Sequence, residues 1–287
     1  MNEMKSRPFT RVAQAVCIVI LMISGFSCRD DDPYQMPEKS LEIIKLKINT
    51  KRFQESRAFW TQNLGFELVA STPNEFTVKV GSSLLCFNGV QLSPLDEQNN
   101  FPKYHFSFNI PSNQAENALN WLRNEDHEFP DGPQNPVEIW KNEDTGAEII
   151  RRDRYNAHSV FFKDPGGNVI ELIARHNLNN PQEGDFNRAM IINISEVAIV
   201  TFDVKESAKR VKDNFGVIEI PGTTSGFKPL GGETGLITFV VPGRSWQPAD
   251  SQVAGSWPME VTVRHPEPLV IYIPGTNFQP IRILTQP

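Results

Sequence analysis

The sequence predicts an α+β protein made of repeated βαβββ modules, and three observations predict it. Apolar and polar residues give the order strand, helix, three strands over 41–87, and the same order returns over 105–173. A third pass opens at Ile194. There Val204-Lys205-Glu206-Ser207 matches Phe53-Gln54-Glu55-Ser56, and Asn214-Phe215-Gly216-Val217 matches Asn63-Leu64-Gly65-Phe66 at the same offset, a coincidence hard to attribute to chance. Finally, Asp164-Pro165-Gly166-Gly167-Asn168 has the chemistry of a tight hairpin turn between two strands of period two. The 287 residues are 39% hydrophobic and 22% charged, as expected of a soluble globular chain. A net charge of −6 argues against a nucleic-acid partner, because no strongly basic face is available to displace counterions.

The N-terminus lies outside this pattern. Lys5, Arg7 and Arg11 precede an apolar run, 12–26, that is short for a membrane span and has the form of a signal-peptide core, so 1–27 is read as a signal peptide. Ser24-Gly25-Phe26-Ser27-Cys28 resembles the lipobox of bacterial lipoproteins, with Gly25 where Leu or Val is usual. That resemblance implies a lipid on Cys28 and a location in the cell envelope, at the outer membrane or the surface. An ordinary secretory signal followed by an unrelated cysteine is the other reading. Residues 28–40, with Arg29-Asp30-Asp31-Asp32, form an acidic tether similar to the export signal of surface lipoproteins. Cys17 falls in the signal and Cys28 would carry lipid, so Cys86 is left alone and no internal disulfide is expected.

The first module starts with a strand at 41–49. An amphipathic helix over 53–63 follows, ended by Gly65 in a position that tolerates a left-handed backbone. Strands are expected near 67–71, 76–80 and 84–87. In the second module, 105–110 is the first strand and 113–123 the helix, with Ala115, Ala118, Leu119 and Leu122 at helical spacing. Its next strand lies in the Pro-rich 129–137 or at 138–140; 148–152, 159–162 and 169–173 complete it. Residues 41–175 are thus read as one domain of two modules, 176–190 as a polar linker, and 191–287 as a third, diverged βαβββ-like module with strands at 194–200, 236–241, 259–264, 269–273 and 281–284. This last module needs a partner, either the first pair or its own copy in a homodimer.

His105-x-x-Phe108 at the head of a strand, then a helix, then Phe162-x-Asp164-Pro165-Gly166-Gly167-Asn168-x-x-Glu171-Leu172, resembles the vicinal oxygen chelate superfamily. This group includes glyoxalase I, extradiol ring-cleaving dioxygenases, and the fosfomycin and bleomycin resistance proteins. The resemblance implies paired modules whose curved mixed sheets enclose a cup, with a divalent metal held by residues of first and last strands. Here His105 and Glu171 take those metal-ligand positions, and their donors suit Zn, Mn or Fe. Aligning the modules puts Lys45 and Glu196 at the place of His105, and Cys86 near that of Glu171. An ammonium is a poor ligand, so Lys45 stands either as a break in the metal set or as the partner of Glu171 in an ion pair across a polar substrate pocket. Glu196 reads by default as a solvent-facing strand start.

Three further candidates follow. His158 stands before the strand leading to the Asp164 turn, where it serves as a catalytic acid or base if it reaches the cup, and as a surface residue otherwise. Arg151, Arg152 and Arg154 are a basic cluster in an acidic chain, with Arg152 taken as a pocket residue able to clamp an anion; a solvated hairpin is the alternative. Trp246, in Gly243-Arg244-Ser245-Trp246-Gln247-Pro248, is either an aromatic lid on the pocket or surface loop packing. Two functions follow: an exported glyoxalase- or dioxygenase-like enzyme using a divalent metal on a small oxygen-rich molecule, or a metal-free lipoprotein of the same fold that binds a small ligand.

Overall fold

The computed structural model of the protein describes residues 37, 39–90, 101–221, 223–246, 248, 252–274 and 281–287; the signal, Cys28 and most of the tether lie outside them. The first module forms as the periodicity predicts: β1 (Ile43–Thr50), α1 (Phe53–Ala58) running on as a π-helical turn (Phe59–Asn63), then β2 (Glu67–Ser71), β3 (Glu75–Val80) and β4 (Ser83–Gly89). The second is β5 (His105–Ile110), α2 (Ala115–Arg123), β6 (Glu138–Ile139), β7 (Ile149–Arg152), β8 (Ala157–Lys163) and β9 (Val169–Arg175). Of the two sites considered for its second strand, 138–140 carries one, the short β6, and 129–137 does not; β6 pairs with the end of β8, and β7 with its start.

Beyond the linker come β10 (Asn193–Val200), α3 (Val204–Phe215), β11 (Phe227–Gly232), β12 (Gly235–Val240), β13 (Met259–Arg264), β14 (Val270–Tyr272) and β15 (Ile281–Gln286). The Asp203 side chain caps α3 by accepting from the Glu206 amide at 3.0 Å, and Gly216 ends it at φ 63°. The repeat extends to hydrogen bonding. Thr50 Oγ1 accepts from the Arg52 amide and contacts Ser56 Oγ; Thr201 Oγ1 does the same with the Asp203 amide and Ser207 Oγ, at the offset that aligns Phe53 with Val204.

Strand pairing corrects the module count and the partnership. In four places a first strand lies parallel to the last strand of its own unit: β1 beside β4, β5 beside β9, β10 beside β12, and β13 beside β15. The 191–287 segment is therefore two units, β10–α3–β11–β12 and a helix-less β13–β14–β15. The sheet runs β14-β15-β13-β1-β10-β5-β9-β8-β6. Modules one and two, expected to pair with each other, are separated by β10. Module two pairs antiparallel with module three through β5 and β10, and module one with module four through β1 and β13. The physical reason is burial: all eight residues of β10 are buried, which a strand at a domain edge cannot achieve. An internal repeat gives the number of units and not their neighbours. The third-module strands are thus partnered within the chain.

Strand β11 is absent from the sequence reading because Pro229, Gly231 and Gly232 look like a turn. Its one strand partner among the described residues is β12; its other edge meets only the isolated bridge Glu219–Leu230, where Pro229 accepts from the Ile220 amide and has no N–H to supply. Gly235 has a steric reason: a Cβ there would sit 1.6 Å from the Leu41 carbonyl oxygen, whose own amide donates to Gly235 O at 3.0 Å.

Trp60 ties modules one and two together. It is fully buried, its ring centroid lies 5.7 Å from Phe66 and from Phe87, and 6.4 and 6.2 Å from Phe106 and Phe108 of β5. Its Nε1 donates to Asp164 Oδ2 at 3.3 Å, reaching the turn between β8 and β9.

Candidate functional site

On β5 the apolar residues Phe106, Phe108 and Ile110 face the Trp60 core, which leaves His105, Ser107 and Asn109 on the other side of the pleat. The parallel register sets Ser107 beside Glu171. Glu171, Ile173 and Arg175 share that face of β9, and the β10 partner of Ser107 is Glu196. Polar side chains of modules two and three therefore meet in one buried layer, at the base of a cavity of about 360 Å3.

His105, Glu171, Glu196 and Thr238 form its floor. The His105 Nδ1 donates to the Val169 carbonyl at 3.1 Å, so the neutral ring carries its lone pair on Nε2, which lies 3.7 Å from Glu171 Oε2. Ser107 Oγ donates to the same carboxylate at 2.5 Å, and Arg152 Nε is 3.7 Å from Oε1. Burial by itself would raise the pKa of Glu171, but the Arg152 guanidinium, helped by the hydrogen bond from the Ser107 hydroxyl, outweighs it and holds the group below the ordinary carboxylate range. Across the floor, Thr238 Oγ1 donates to Glu196 Oε1 at 2.7 Å, and the fully buried Arg175 places Nη2 at 3.7 Å from Oε2. The Arg175 Nε donates to Asn109 Oδ1 at 3.2 Å, and its guanidinium carbon lies 5.3 Å from the Tyr155 ring centre.

The wall is aromatic and the mouth cationic. Trp246 is buried against His105, with ring centres 5.4 Å apart, and Arg152 lies 5.1 Å from the Phe161 ring centre. Arg151, Arg154 and Arg244 line the exposed opening together with Asp153, whose carboxylate pairs with Arg151. Buried polar atoms without a hydrogen bond cluster here: Arg152 Nε, Tyr155 OH, Ser159 Oγ, Glu171 Oε1, both Nη atoms of Arg175 and Trp246 Nε1. Such groups are costly to leave unmatched, and their concentration in one layer marks a surface shaped for a polar ligand.

The structure thus brings together His105, Glu171, Arg152 and Trp246. Lys45 is elsewhere: it sits on β1 in register with Thr262 and Leu84, in the half formed by modules one and four, because β10 and not β1 is the neighbour of β5. The ion pair expected between Lys45 and Glu171 is made instead by Arg152. His158 is also displaced. On β8 the residue opposite Glu171 is Phe161, so the cavity face carries Ser159 and Phe161, and His158 projects from the other side to meet His176, Nδ1 to Nε2 2.7 Å. Burial and the neighbouring His176 and Arg151 push its imidazole below the usual histidine value. Glu196, read as solvent-facing, is buried in the floor. Arg175 was missed, although its spacing from Glu171 on a period-two strand already gives it the same face.

The metal set that the motif implies can be tested on these donors. His105 Nε2 and Glu171 supply two. Glu196 is held by Arg175 and Thr238, Glu171 faces Arg152, and among the described residues no group of three or more His, Cys, Asp or Glu is arranged to hold an ion. Guanidinium groups stand where a cation needs free carboxylate oxygen, so this arrangement does not fit a resident divalent ion.

Solved structures similar to this chain include a Bacillus subtilis protein provisionally named a dioxygenase, at 15% identity and TM-score 0.52, covering 88% of this chain and 87% of that one. Glyoxalase I from Zea mays is similar at 10% identity and TM-score 0.46, covering 86% and 93%. The fosfomycin resistance protein FosX from Listeria monocytogenes, complexed with Mn(II) and 1S,2S-dihydroxypropylphosphonic acid, covers 46% of this chain and 86% of its own, at 16% identity and TM-score 0.32. At such identities the likeness concerns the fold alone, and no curated protein matches the sequence. Residues 42–172, a little under half of the chain, match the model of the Glyoxalase/Bleomycin resistance protein/Dioxygenase superfamily, and this segment is similar to that superfamily.

Proposed function

We propose that this chain is an exported, lipid-anchored member of the superfamily whose cup between modules two and three binds a small oxygen-bearing molecule and exchanges a proton with it through His105, without a resident metal. One observation carries the reading: each floor carboxylate is matched by its own arginine, Glu171 by Arg152 and Glu196 by Arg175, both at 3.7 Å. The Nε2 lone pair of His105 is the group able to take a proton from a bound hydroxyl or from a C–H made acidic by an adjacent carbonyl. The ionised Glu171 would stabilise the imidazolium that forms, Ser107 fixes that carboxylate, and the Trp246 indole covers the ring from one side.

Metal analysis of protein purified without chelator tests this, with His105→Ala and Glu171→Ala as controls. Well under one ion per chain is expected in all three proteins. Close to one ion per chain in the parent, lost in both variants, would overturn the reading in favour of a metal-dependent lyase or dioxygenase.

The anchor is proposed from residues 1–40 of the sequence. Cys28→Ala is expected to abolish incorporation of labelled palmitate and to move the protein from the membrane to the soluble fraction. A variant that stays with the membrane would contradict anchoring through Cys28.

A further inference from the structure

The floor of the cup holds paired charges with an unfilled hydrogen-bonding gap between them. Arg152 Nε and Glu171 Oε1 face each other at 3.7 Å, beyond a hydrogen bond, and both atoms are buried without a hydrogen-bond partner. A single oxygen seated beside them has to accept from the guanidinium and donate to the carboxylate. A carboxylate or ketone oxygen only accepts and an ammonium only donates, whereas a hydroxyl does both through one atom. Arg152 is the member able to move aside for it, with 23% of its side chain exposed on β7, whose one strand partner among the described residues is β8. The other half of the floor repeats the pattern. Glu196 and Tyr155 line the cavity with the fully buried Arg175 against both, and the Tyr155 hydroxyl and both Nη atoms of Arg175 lack a hydrogen bond. Glu171 and Glu196 stand on either side of Ser107, two strand spacings or about 10 Å apart at the backbone, so one small ring can reach both. Each carboxylate is already matched by an arginine, and Asp153 at the mouth by Arg151, so these pairs call for hydrogen bonding and not for a further charge.

Resting on the reading of this cup as the ligand site, we propose that its ligand is a neutral polyhydroxylated ring of monosaccharide or cyclitol size: one hydroxyl bridges Arg152 and Glu171, another meets Tyr155 and Glu196, and the C–H faces of the ring lie against Trp246 and Phe227, which line the same cavity. The cavity of about 360 Å3 is in the range of small-molecule sites. The first hydroxyl binds the carboxylate that His105 Nε2 approaches to 3.7 Å, which makes it the group whose proton the imidazole takes.

Titration calorimetry of the full chain with D-glucose, D-galactose, D-mannose and myo-inositol tests the assignment, with cyclohexanol as a ring of one hydroxyl and D-glucuronate as a charged sugar. At least one neutral polyol is expected to bind about tenfold or more tighter than cyclohexanol, the size of one or two charge-assisted hydrogen bonds, and no weaker than D-glucuronate. Arg152→Met/Glu171→Leu removes the first pair without stranding a charge and, checked for unchanged thermal unfolding, is expected to abolish that advantage. Tyr155→Phe deletes only a hydroxyl and is expected to weaken polyol binding by about threefold to tenfold. Cyclohexanol binding as tightly as every polyol, or D-glucuronate binding about tenfold tighter than all of them, would overturn the inference while leaving the cup as a ligand site. Polyol binding unchanged in both variants would overturn the assignment to these residues. Absence of binding by every probe would overturn the inference alone, because the reading on which it rests falls to the metal analysis above.

Discussion

Trp60→Ala is expected to lower the unfolding free energy by about 3–5 kcal/mol, the range for truncating a large buried aromatic. The ring is fully buried and packs against aromatic rings from its own module and from β5 of the next. Removal therefore opens a cavity at a junction where rigid strands on both sides leave little room for collapse. A second loss adds to it. Asp164 is buried and its carboxyl is pushed above the usual range, by burial against the hydrogen bonds from Asn168 and Trp60 that favour the ionised form. Trp60→Phe separates the two contributions, since it keeps most of the volume and deletes only the Nε1 donor; about 1–3 kcal/mol is expected from it. Urea unfolding followed by far-UV circular dichroism checks both, and a loss under about 1 kcal/mol for the alanine variant would contradict the hub role.

Arg175→Met is expected to cost about 3–5 kcal/mol, because it strands a buried charge and not because the pair itself is strongly stabilising. Glu196 would keep only the Thr238 hydroxyl as a donor, and Asn109 would lose the donor from Nε. Replacing both members, Arg175→Met with Glu196→Leu, should recover much of the loss, as apolar substitution of buried ion pairs is often near neutral. Thermal and urea unfolding of the three variants measures this. A single variant as stable as the parent would show that the guanidinium is not compensating a charge in this layer.

The sequence carried the local structure well and the assembly poorly. Period-two and helical spacing placed β1 through β5 and the three helices within a few residues, and the repeated 204–217 segment announced one further module where the strand pairing has two units. Parity on a strand was legible as well: Ser107 with His105, and Arg175 with Glu171, are readable from alternation alone. The partner of β5 was not. An alternating strand states that it has a polar face without naming the strand that will cover it, so Lys45 and Glu196 were equivalent on paper. Only the burial of every residue of β10 in the folded chain separates them. The remaining differences have local causes. Glycine and proline in β11 disguised an outer strand as a turn, and His158 was one residue out of phase with the cavity face, which on a pleated strand is the whole difference between two environments.

The account depends on module two meeting module three around the polar floor, and a double-mutant cycle on Arg175 and Glu196 tests it most directly. The two residues lie on β9 and β10, in modules with separate helices and no sequence proximity. If they share the buried layer, the stability changes of Arg175→Met and Glu196→Leu must be non-additive by at least about 1 kcal/mol, whereas sites more than roughly 10 Å apart add to within about 0.5 kcal/mol. A coupling of the larger size is the predicted result; additive changes would contradict the pairing of these modules and, with it, the cup.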